Sequence, residues 1–406
     1  MDVPDSLLAG VRVLDLSSGT TDSVTRLLAD LGADVLKVEH PGGSPGRETL
    51  PALAGASIPF ALHNANKRST VLDPLAEADC ARLLDLAAEA DIVVTDDLGG
   101  PDGLAGSFGT SGAELAAQSP HLVVLTVTDF GATGPRASWR ATDPVLYAMS
   151  GALSRSGPTT GTPVLPPDGI ASATAAVQAA WAVLVAYYNR LRCGTGDYID
   201  FSRFDAVVMA LDPVFGAHGQ AAAGVRSTGR WRGRPKNQDS YPIFECRDGY
   251  VRLCVLAPRQ WRGLRGWLGE PEEFQDPKYD QIGARFAAWP QISALFRDMV
   301  ADQPMKELVA AGQERGVPIA AVLTPSRILG SEHFHAVGAI TEADLVPGVR
   351  TSVPTGYFVV DGQRCGFRTP APAPACRCCF TSRRWRRSPR HPWVCCACHP
   401  PPPALA

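Results

Sequence analysis

The sequence predicts an α/β protein in which a large domain with a parallel sheet is joined to a smaller α+β domain. Short runs of β-branched residues alternate with segments of helical spacing through the first two hundred residues. Strands that are separated in the chain by helices pair in parallel, so this alternation indicates a Rossmann-like sheet. A hairpin pattern followed by helical segments, after residue 240, predicts the smaller domain.

The elements of the large domain are predicted from the spacing of its apolar residues. Five strands are predicted over 11–16, 33–39, 69–72, 91–95 and 122–129. The first helix is predicted over 22–31, with Asp22 or Ser23 as its N-cap and Gly32 as its end. Further elements are a helix over 76–88, an alanine-rich helix over 170–191, a strand over 197–201 and a helix over 204–211.

The domain boundaries follow from changes in composition. Around 224–235 the chain is rich in Arg and Gly and loses periodicity, which indicates a linker or an active-site loop. A hairpin over 241–255 follows, with helices near 260–268, 291–300 and 304–312, and 316–323 is predicted to lead back to the large domain. The predicted parts are 1–223 (large domain), 224–325 (small domain), 326–375 (return to the large domain) and 376–406 (tail).

Composition and charge are those of a soluble globular protein. Hydrophobic residues make up 45% and charged residues 19% of the chain, and the net charge of -3 predicts neither nucleic acid nor a membrane as partner. No signal peptide and no membrane-spanning run of apolar residues is expected, which predicts a cytoplasmic protein. Five cysteines lie singly along the chain, as in a reducing compartment.

The last thirty-one residues, 376–406, differ from the rest of the chain. They hold six arginines, no Lys, Asp or Glu, and the other six cysteines: Cys376, Cys378, Cys379, Cys395, Cys396 and Cys398. These thiols are possible metal ligands, but their spacings are not those of a zinc finger, zinc ribbon or RING domain. The alternative is a C-terminus translated out of frame from GC-rich DNA. Under either reading the tail is expected to be disordered.

Two familiar nucleotide motifs are missing from the sequence. The turn after the first strand, 17–23, has one glycine, so the glycine pattern of dinucleotide-binding domains is absent, and there is no Walker A sequence. The segment Asn66-Lys67-Arg68 places two cations at the start of a strand, which suits a phosphate group or a solvated charge pair. Arg140 leaves the same two alternatives open.

Taken in order, a series of segments resembles the family III CoA-transferases, a group that includes formyl-CoA and carnitine-CoA transferases and 2-methylacyl-CoA racemases. The segments are 8–15, 28–41, 66–73, 90–94, 130–135, 143 with 148–151, 194–200 and 316–318. The resemblance extends to about residue 374. It implies a large domain built from both ends of the chain, a small domain in the middle, and two subunits threaded through each other as interlocked rings.

The resemblance also implies a ligand and its site. Coenzyme A or an acyl-CoA is expected as substrate, with no tightly bound cofactor and no metal, and the partner is a second identical or homologous subunit. The acyl end is expected to reach the start of the alanine-rich helix. The residues expected near the phosphates and adenine of CoA are Lys37, His40, Asn66, Lys67, Arg68 and Arg140.

The sequence departs from this family at the catalytic position. The aspartate expected just inside the alanine-rich helix is Ser172. In a transferase the carboxylate forms an anhydride and then an enzyme-CoA thioester. A serine hydroxyl can accept an acyl group but has no carbonyl to hold CoA. The racemase branch departs as well, because its histidine position is Thr142. The asparagine expected after the fourth strand is Asp96.

Another carboxylate could replace the missing one. Asp168 precedes the alanine-rich helix and is a candidate, although Pro-Asp-Gly is also an ordinary turn sequence. Asp143 is interpreted as a structural residue that caps the helix following it. Three hypotheses remain: an enzyme acting on an acyl-CoA thioester by transfer or isomerisation, a non-catalytic CoA-binding subunit that pairs with an active homologue, and a damaged gene product.

Overall fold

The computed structural model describes residues 6–100, 102–157, 162–210, 242–346 and 348–373. The described residues form two compact units. The first is drawn from Met1–Ala152, Pro166–Val214 and His335–Ala406, and the second from Leu153–Leu165 and Phe215–Phe334. The linker predicted at 224–235 and the tail at 376–406 lie outside the described residues, and the bounds of the four predicted parts stay predictions.

The first unit is built on a six-stranded parallel sheet. Its strands in chain order are β1 (Arg12–Leu16), β2 (Asp34–Glu39), β5 (Arg68–Val71), β6 (Ile92–Thr95), β7 (Val123–Thr128) and β8 (Tyr198–Ser202). They are hydrogen-bonded in the order β5-β2-β1-β6-β7-β8, and every pair is parallel. This confirms the Rossmann-like sheet predicted from the sequence. The strand order reverses between β1 and β6, where open sheets of this type bind ligands.

Both faces of the sheet are covered, which explains why its central strands are continuous apolar runs. Successive residues point to opposite faces, so Val13 and Val35 belong to one core while Leu14 and Leu36 belong to the other. The first core packs against α1 (Asp22–Asp30) and α7 (Ile170–Cys193). The helices on the other face are α3 (Glu77–Glu89), α4 (Leu104–Ser107) and α5 (Gly112–Gln118).

Helix α1 begins differently from the prediction. Its N-cap is Thr21, which makes no side-chain capping bond, and Asp22 is already the first helical residue. The prediction that Asp22 or Ser23 caps this helix is therefore wrong. The carboxylate of Asp22 binds a buried lysine instead, and that competing partner is not visible in local sequence.

Helix α7 corrects the expectation that no segment could span a membrane. By length and by a mean hydropathy of 1.6, it is the one described helix that is long and apolar enough to do so. Its alanine face, however, packs on the sheet, with Ala175, Ala179 and Val183 buried. A helix that supplies core residues to a sheet satisfies the same criteria of length and composition.

The second unit is a small α+β fold. Strands β9 (Ile243–Cys246), β10 (Gly249–Leu253) and β11 (Ile319–Ala321) form an antiparallel sheet in the order β11-β10-β9. The predicted path back to the large domain contains β11, which is instead the third strand of this sheet. The remaining helices of the unit are α9 (Pro258–Trp267), α10 (Ile282–Ala287), α11 (Trp289–Val300), α12 (Met305–Glu314), α13 (Pro325–Leu329) and α14 (Glu332–Ala336, at its border).

The C-terminal part of the described chain completes the first unit. It forms two antiparallel hairpins, β12 (Ile340–Val346) with β13 (Val349–Pro354) and β14 (Phe358–Val360) with β15 (Gln363–Cys365). Leu345, Val353 and Ala371 share a small core with α2 (Ile58–Asn64). The other elements of the unit are β3 (Ala52–Leu53), β4 (Ala56–Ser57), α6 (Asp143–Met149) and α8 (Arg203–Ala210).

Candidate functional site

A cavity of about 230 Å³ lies at the carboxyl ends of β1, β2 and β6, where the strand order reverses. Ser17 and Ser18 follow β1, His40 follows β2, and Asp96 follows β6, and all four line the cavity. The position follows from the topology, because crossover helices leave on opposite faces at this point and open a crevice between two loops. This cavity is therefore the candidate ligand site of the first unit.

His40 and Arg140 supply positive charge or hydrogen-bond donors to this cavity. The His40 ring stacks on Phe108 with a centroid distance of 6.0 Å, which fixes its plane. Arg140 is exposed, so its guanidinium is available to a ligand. Ser44 also lines the cavity, and its buried hydroxyl has no hydrogen-bond partner among the described residues. A ligand oxygen would satisfy that hydroxyl.

The opposite part of the wall is acidic. Asp96 accepts hydrogen bonds from Ser18 N at 2.7 Å and from Ser18 Oγ at 2.8 Å. Burial nevertheless raises the pKa of Asp96 to about 6, because the loss of hydration outweighs these two bonds. Burial also acts on Glu39, but the Arg47 guanidinium and the Ser44 N–H hold the pKa of Glu39 below its usual value.

Lys37 and Lys67, both predicted near CoA, lie in a buried ion-pair cluster beside the cavity. Lys37 Nζ donates to Ser17 O and to Asp22 Oδ1, both at 2.7 Å. Lys67 Nζ donates to Asp15 Oδ2 at 2.9 Å, and also to Asp22 O and Asn64 Oδ1 at 2.8 Å each. Both ammonium groups are buried, and their bonds to protein acceptors hold β1, β2 and α1 together.

The pKa values in this cluster reflect competition between burial and ion pairing. Burial opposes ionisation of Asp15, yet Lys37 and Lys67 together hold the pKa of Asp15 well below its usual value. Burial also opposes the charge on Lys37, but Asp15 and Asp22 raise its pKa. For Lys67 burial dominates and the pKa falls. The cluster is thus charge-balanced inside the protein.

Asn66 and Arg68, two further predicted CoA contacts, also bind protein groups. Asn66 Nδ2 donates to Gly366 O at 2.8 Å, and Asn66 Oδ1 accepts from Arg368 N at 2.7 Å and Thr369 N at 2.8 Å. Arg68 forms a two-point ion pair with Asp34, at 2.9 and 2.7 Å. Asn66 therefore connects the C-terminal segment to the start of β5, and Arg68 links the edge strand β5 to its neighbour β2.

Ser172 lies in the first turn of α7 and is enclosed by charged partners. Its hydroxyl donates to Asp143 Oδ1, its backbone N–H donates to Asp143 Oδ2 at 3.1 Å, and Arg203 Nη2 donates to its oxygen at 2.5 Å. Arg203 also pairs with Asp129 at 2.6 Å. The cavity that touches Ser172 measures about 10 Å³, enough for one water molecule. Within the described residues of one chain, this cavity is too small for an acyl group.

Asp143 has a different role from the one predicted. The N-cap of α6 is Thr142, and the Asp143 carboxylate binds the N-terminus of α7 through Ser172 N. The interpretation that it caps the helix following it is therefore wrong, although its role is still structural. The sequence analysis did not identify Arg203, which binds Ser172, or Asp129, which pairs with Arg203. The two follow directly after β8 and β7, and the carboxyl ends of parallel strands lie at the same edge of a sheet, so their positions could have indicated this contact.

Asp168, the candidate replacement carboxylate, is exposed in the turn before α7. Its Oδ1 accepts a hydrogen bond from Gly169 N at 3.1 Å, and Gly169 has a φ of +86°, which favours glycine. It lines neither the cavity at the strand ends nor the one at Ser172. In the part of the chain that the structure describes, no group of three or more His, Cys, Asp or Glu could hold a metal ion.

Comparisons with known proteins agree on one family. The model of CoA-transferase family III matches residues 8–376. The probable CoA-transferase Rv1866 of Mycobacterium tuberculosis is 79% identical over 365 residues, which are 89% of this chain and 46% of that protein. The chain thus spans about half the length of that relative. Succinyl-CoA:(R)-benzylsuccinate CoA-transferase subunit BbsE of Thauera aromatica is 30% identical over 328 residues, 77% of each chain.

A solved structure is similar along the whole described fold. The crystal structure of a CAIB/BAIF family protein from Brucella suis superposes with a TM-score of 0.77 at 26% identity. The match covers 90% of this chain and 96% of that one. The two-unit architecture is therefore shared with a protein of comparable length.

Proposed function

The chain belongs to CoA-transferase family III, and we propose that it binds the CoA part of an acyl-CoA thioester in the cavity at the ends of β1, β2 and β6. The position at the sheet reversal supports this, as do the Arg140 guanidinium and the unpartnered Ser44 hydroxyl. A guanidinium matches the geometry of phosphate oxygens, and a buried hydroxyl can donate to one.

Of the six residues predicted to contact CoA, His40 and Arg140 keep that role in the proposal. The other four have their polar groups bound to protein: Lys37, Asn66, Lys67 and Arg68. A buried ammonium with protein acceptors at hydrogen-bond distance cannot turn to a ligand without leaving a carboxylate unpaired, which is costly. We assign these four to holding the strand ends in place.

The transfer step needs a carboxylate that faces the thioester. The carboxylate attacks the acyl carbon and releases CoA thiolate, and the thiolate then attacks the enzyme carbonyl of the anhydride, which releases the free acid. The serine ester that Ser172 could form has no second carbonyl on the enzyme side, so returning thiolate would only restore the original thioester. A serine at this position therefore cannot hold CoA as a covalent thioester.

We further propose that the carboxylate comes from a second family III unit that pairs with this chain. The single observation that carries this proposal is the enclosure of Ser172 by Asp143 and Arg203, with room for one water molecule. Two comparisons support it. The relative from M. tuberculosis is long enough to hold a second such unit, and the relative from T. aromatica is named as a subunit. The predicted role of Asp168 has no support from its exposed position.

An apolar stripe on α7 is the surface we propose for this second unit. The stripe repeats at helical spacing, with every member at least 43% exposed: Ile170, Val177, Trp181, Val185, Tyr188 and Leu191. A contiguous exposed apolar face of this kind marks a protein contact in soluble proteins. The opposite face of α7 is buried in the sheet core, which fixes the orientation of the stripe.

Calorimetric titration with CoA tests the ligand proposal. Arg140→Gln removes a cavity cation and is expected to weaken CoA binding about tenfold, the effect of one charge-assisted hydrogen bond. Arg68→Gln is the matched control, because it removes the same charge from a residue paired with Asp34, and should leave the affinity unchanged. Equal loss in both variants, or no binding by the wild type, would contradict the proposal.

A further inference from the structure

The cavity at the strand ends carries more negative than positive groups, which is unexpected for a site proposed to hold phosphates. Asp96 is central to this imbalance. Its carboxylate lies on the cavity wall, held by Ser18 N and Ser18 Oγ, and it has no ion-pair partner among the described residues. The charged and titratable groups around it are Asp22 on α1, Lys37, Glu39 and His40 on β2 and its end, and Asp97, Asp102 and Arg140 on the loops.

We propose that Asp96 sets the affinity of this cavity for the phosphate-bearing part of CoA, so that binding is tight when Asp96 is protonated and weak when it is ionised. The inference rests on the proposed function, since it concerns the same cavity and ligand. It identifies Asp96 as a specificity-determining residue and makes the site sensitive to pH.

The surroundings of Asp96 explain why it acts in this way. Lys37, the buried cation that acts on Asp96, is bound to Asp22 and Ser17 O and forms no ion pair with Asp96. Asp97 accepts hydrogen bonds from the N–H groups of Gly99 and Ala105, so its carboxylate is held by protein groups. Asp96, by contrast, is bound by Ser18 alone within the described part of the chain. A carboxylate within about 10 Å of a phosphate repels it by enough to change affinity about tenfold.

The direction of the pH dependence follows from the raised pKa of Asp96, about 6. Below pH 6 the group is mostly neutral and its O–H can donate to a ligand oxygen. Above pH 6 it is an anion that repels phosphate. A bound phosphate favours the protonated form, so binding near pH 6.5 draws a proton from solution. His40 lines the same cavity, so the test must separate its contribution from that of Asp96.

The test compares Asp96→Asn with the wild type in titrations with dephospho-CoA and CoA at pH 5 and pH 7.5. Asparagine can still accept a hydrogen bond from Ser18 N, and any effect of pH on other groups or on the ligand cancels in the ratio of the two Kd values. The Kd of the wild type divided by the Kd of Asp96→Asn is expected to be near one at pH 5 and about ten at pH 7.5. Asp85→Asn on α3, an exposed carboxylate outside the cavity lining, serves as control and should change Kd less than twofold.

Two other results overturn the inference in distinguishable ways. Equal Kd values for Asp96→Asn and wild type at both pH values would remove Asp96 as the determinant and leave the proposed function standing. Absence of binding by either protein at every pH would overturn the proposed function itself. If Asp96→Asn does not fold, calorimetry of a His40→Gln variant with dephospho-CoA, in two buffers of different ionisation enthalpy, decides. Proton uptake on binding at pH 6.5 supports the inference and its absence contradicts it.

Discussion

Lysine and arginine residues near the strand ends divide into two groups according to what their charged ends touch. Lys67 donates to Asp15, Asn64 and a backbone carbonyl inside the protein, whereas Arg140 is exposed at the cavity. Removing one partner of a buried ion pair leaves the other charge unpaired, and the energetic cost is about 3–5 kcal/mol. Removing an exposed cation costs the fold little.

Lys67→Met is accordingly expected to lower the free energy of unfolding by about 3–5 kcal/mol. Arg140→Gln should change it by less than about 0.5 kcal/mol. Urea unfolding followed by circular dichroism measures both. Similar stabilities for the two variants would show that the Lys67 ammonium is not held as the structure places it.

Ser172→Asp is a second residue-scale test, because it puts a carboxylate directly against Asp143. Arg203 is already shared with Asp129, so the pKa of the new aspartate should rise above that of an unfolded chain. Its destabilising effect is then absent at pH 4 and grows as the pH rises, to about 2–4 kcal/mol at pH 8. Thermal unfolding across this pH range measures the effect.

Ser172→Asn provides the control for that experiment. It has a similar shape and no charge, so its effect on the melting temperature should not depend on pH. A Ser172→Asp protein that is as stable at pH 8 as at pH 4 would mean that Asp143 and Arg203 do not enclose this position.

The sequence identifies charged residues but not their partners. The basic segment Asn66-Lys67-Arg68 is as typical of a phosphate-binding site as of buried structural ion pairs. The structural role of Lys67 follows from its ion pair with Asp15, about fifty residues earlier in the chain. The two residues lie close together because β2 pairs in parallel with both β1 and β5. Ser172 was recognisable as a departure only through the family pattern. Its partner Arg203 is thirty-one residues away and became visible only in the fold.

At the scale of elements, prediction succeeded where periodicity is strong. Every predicted strand of the parallel sheet is present, with ends shifted by one or two residues. The hairpins β12–β13 and β14–β15 were not predicted, because their strands are half-exposed and lack a continuous apolar pattern. The first hairpin packs on α2 through Leu345 and Val353, outside the six-stranded sheet. The length of α7 was predicted, but not which of its faces stays exposed.

The exposed stripe on α7 leads to a prediction about association. Trp181, 67% exposed at the middle of the stripe, contributes nothing to the core of its own unit. Trp181→Glu should therefore leave the melting temperature of the isolated chain unchanged and abolish association through α7, with sedimentation velocity as the measurement. Leu84→Glu on α3, another exposed apolar position, is the control. Equal association in both variants would exclude the stripe as an interface.

At the scale of the whole molecule, the fold and the chemistry point in different directions. The sheet order and the match over residues 8–376 are those of a family III unit, and a cavity lies where the strand order reverses. The position that should carry the reaction instead holds a hydroxyl bound between Asp143 and Arg203. A chain with this cavity, but with Ser172 at the position of the family aspartate, is expected under the proposed function to bind CoA and to depend on a partner for transfer.

Intact-mass spectrometry of the purified chain incubated with an acyl-CoA tests this account most directly. A family III unit that performs the transfer forms a thioester between CoA and its own carboxylate, which adds the mass of CoA less one water molecule. We predict no such adduct on this chain, in a preparation that binds CoA by calorimetry. A covalent CoA adduct formed by the chain alone would contradict the central claim that its own site cannot carry CoA.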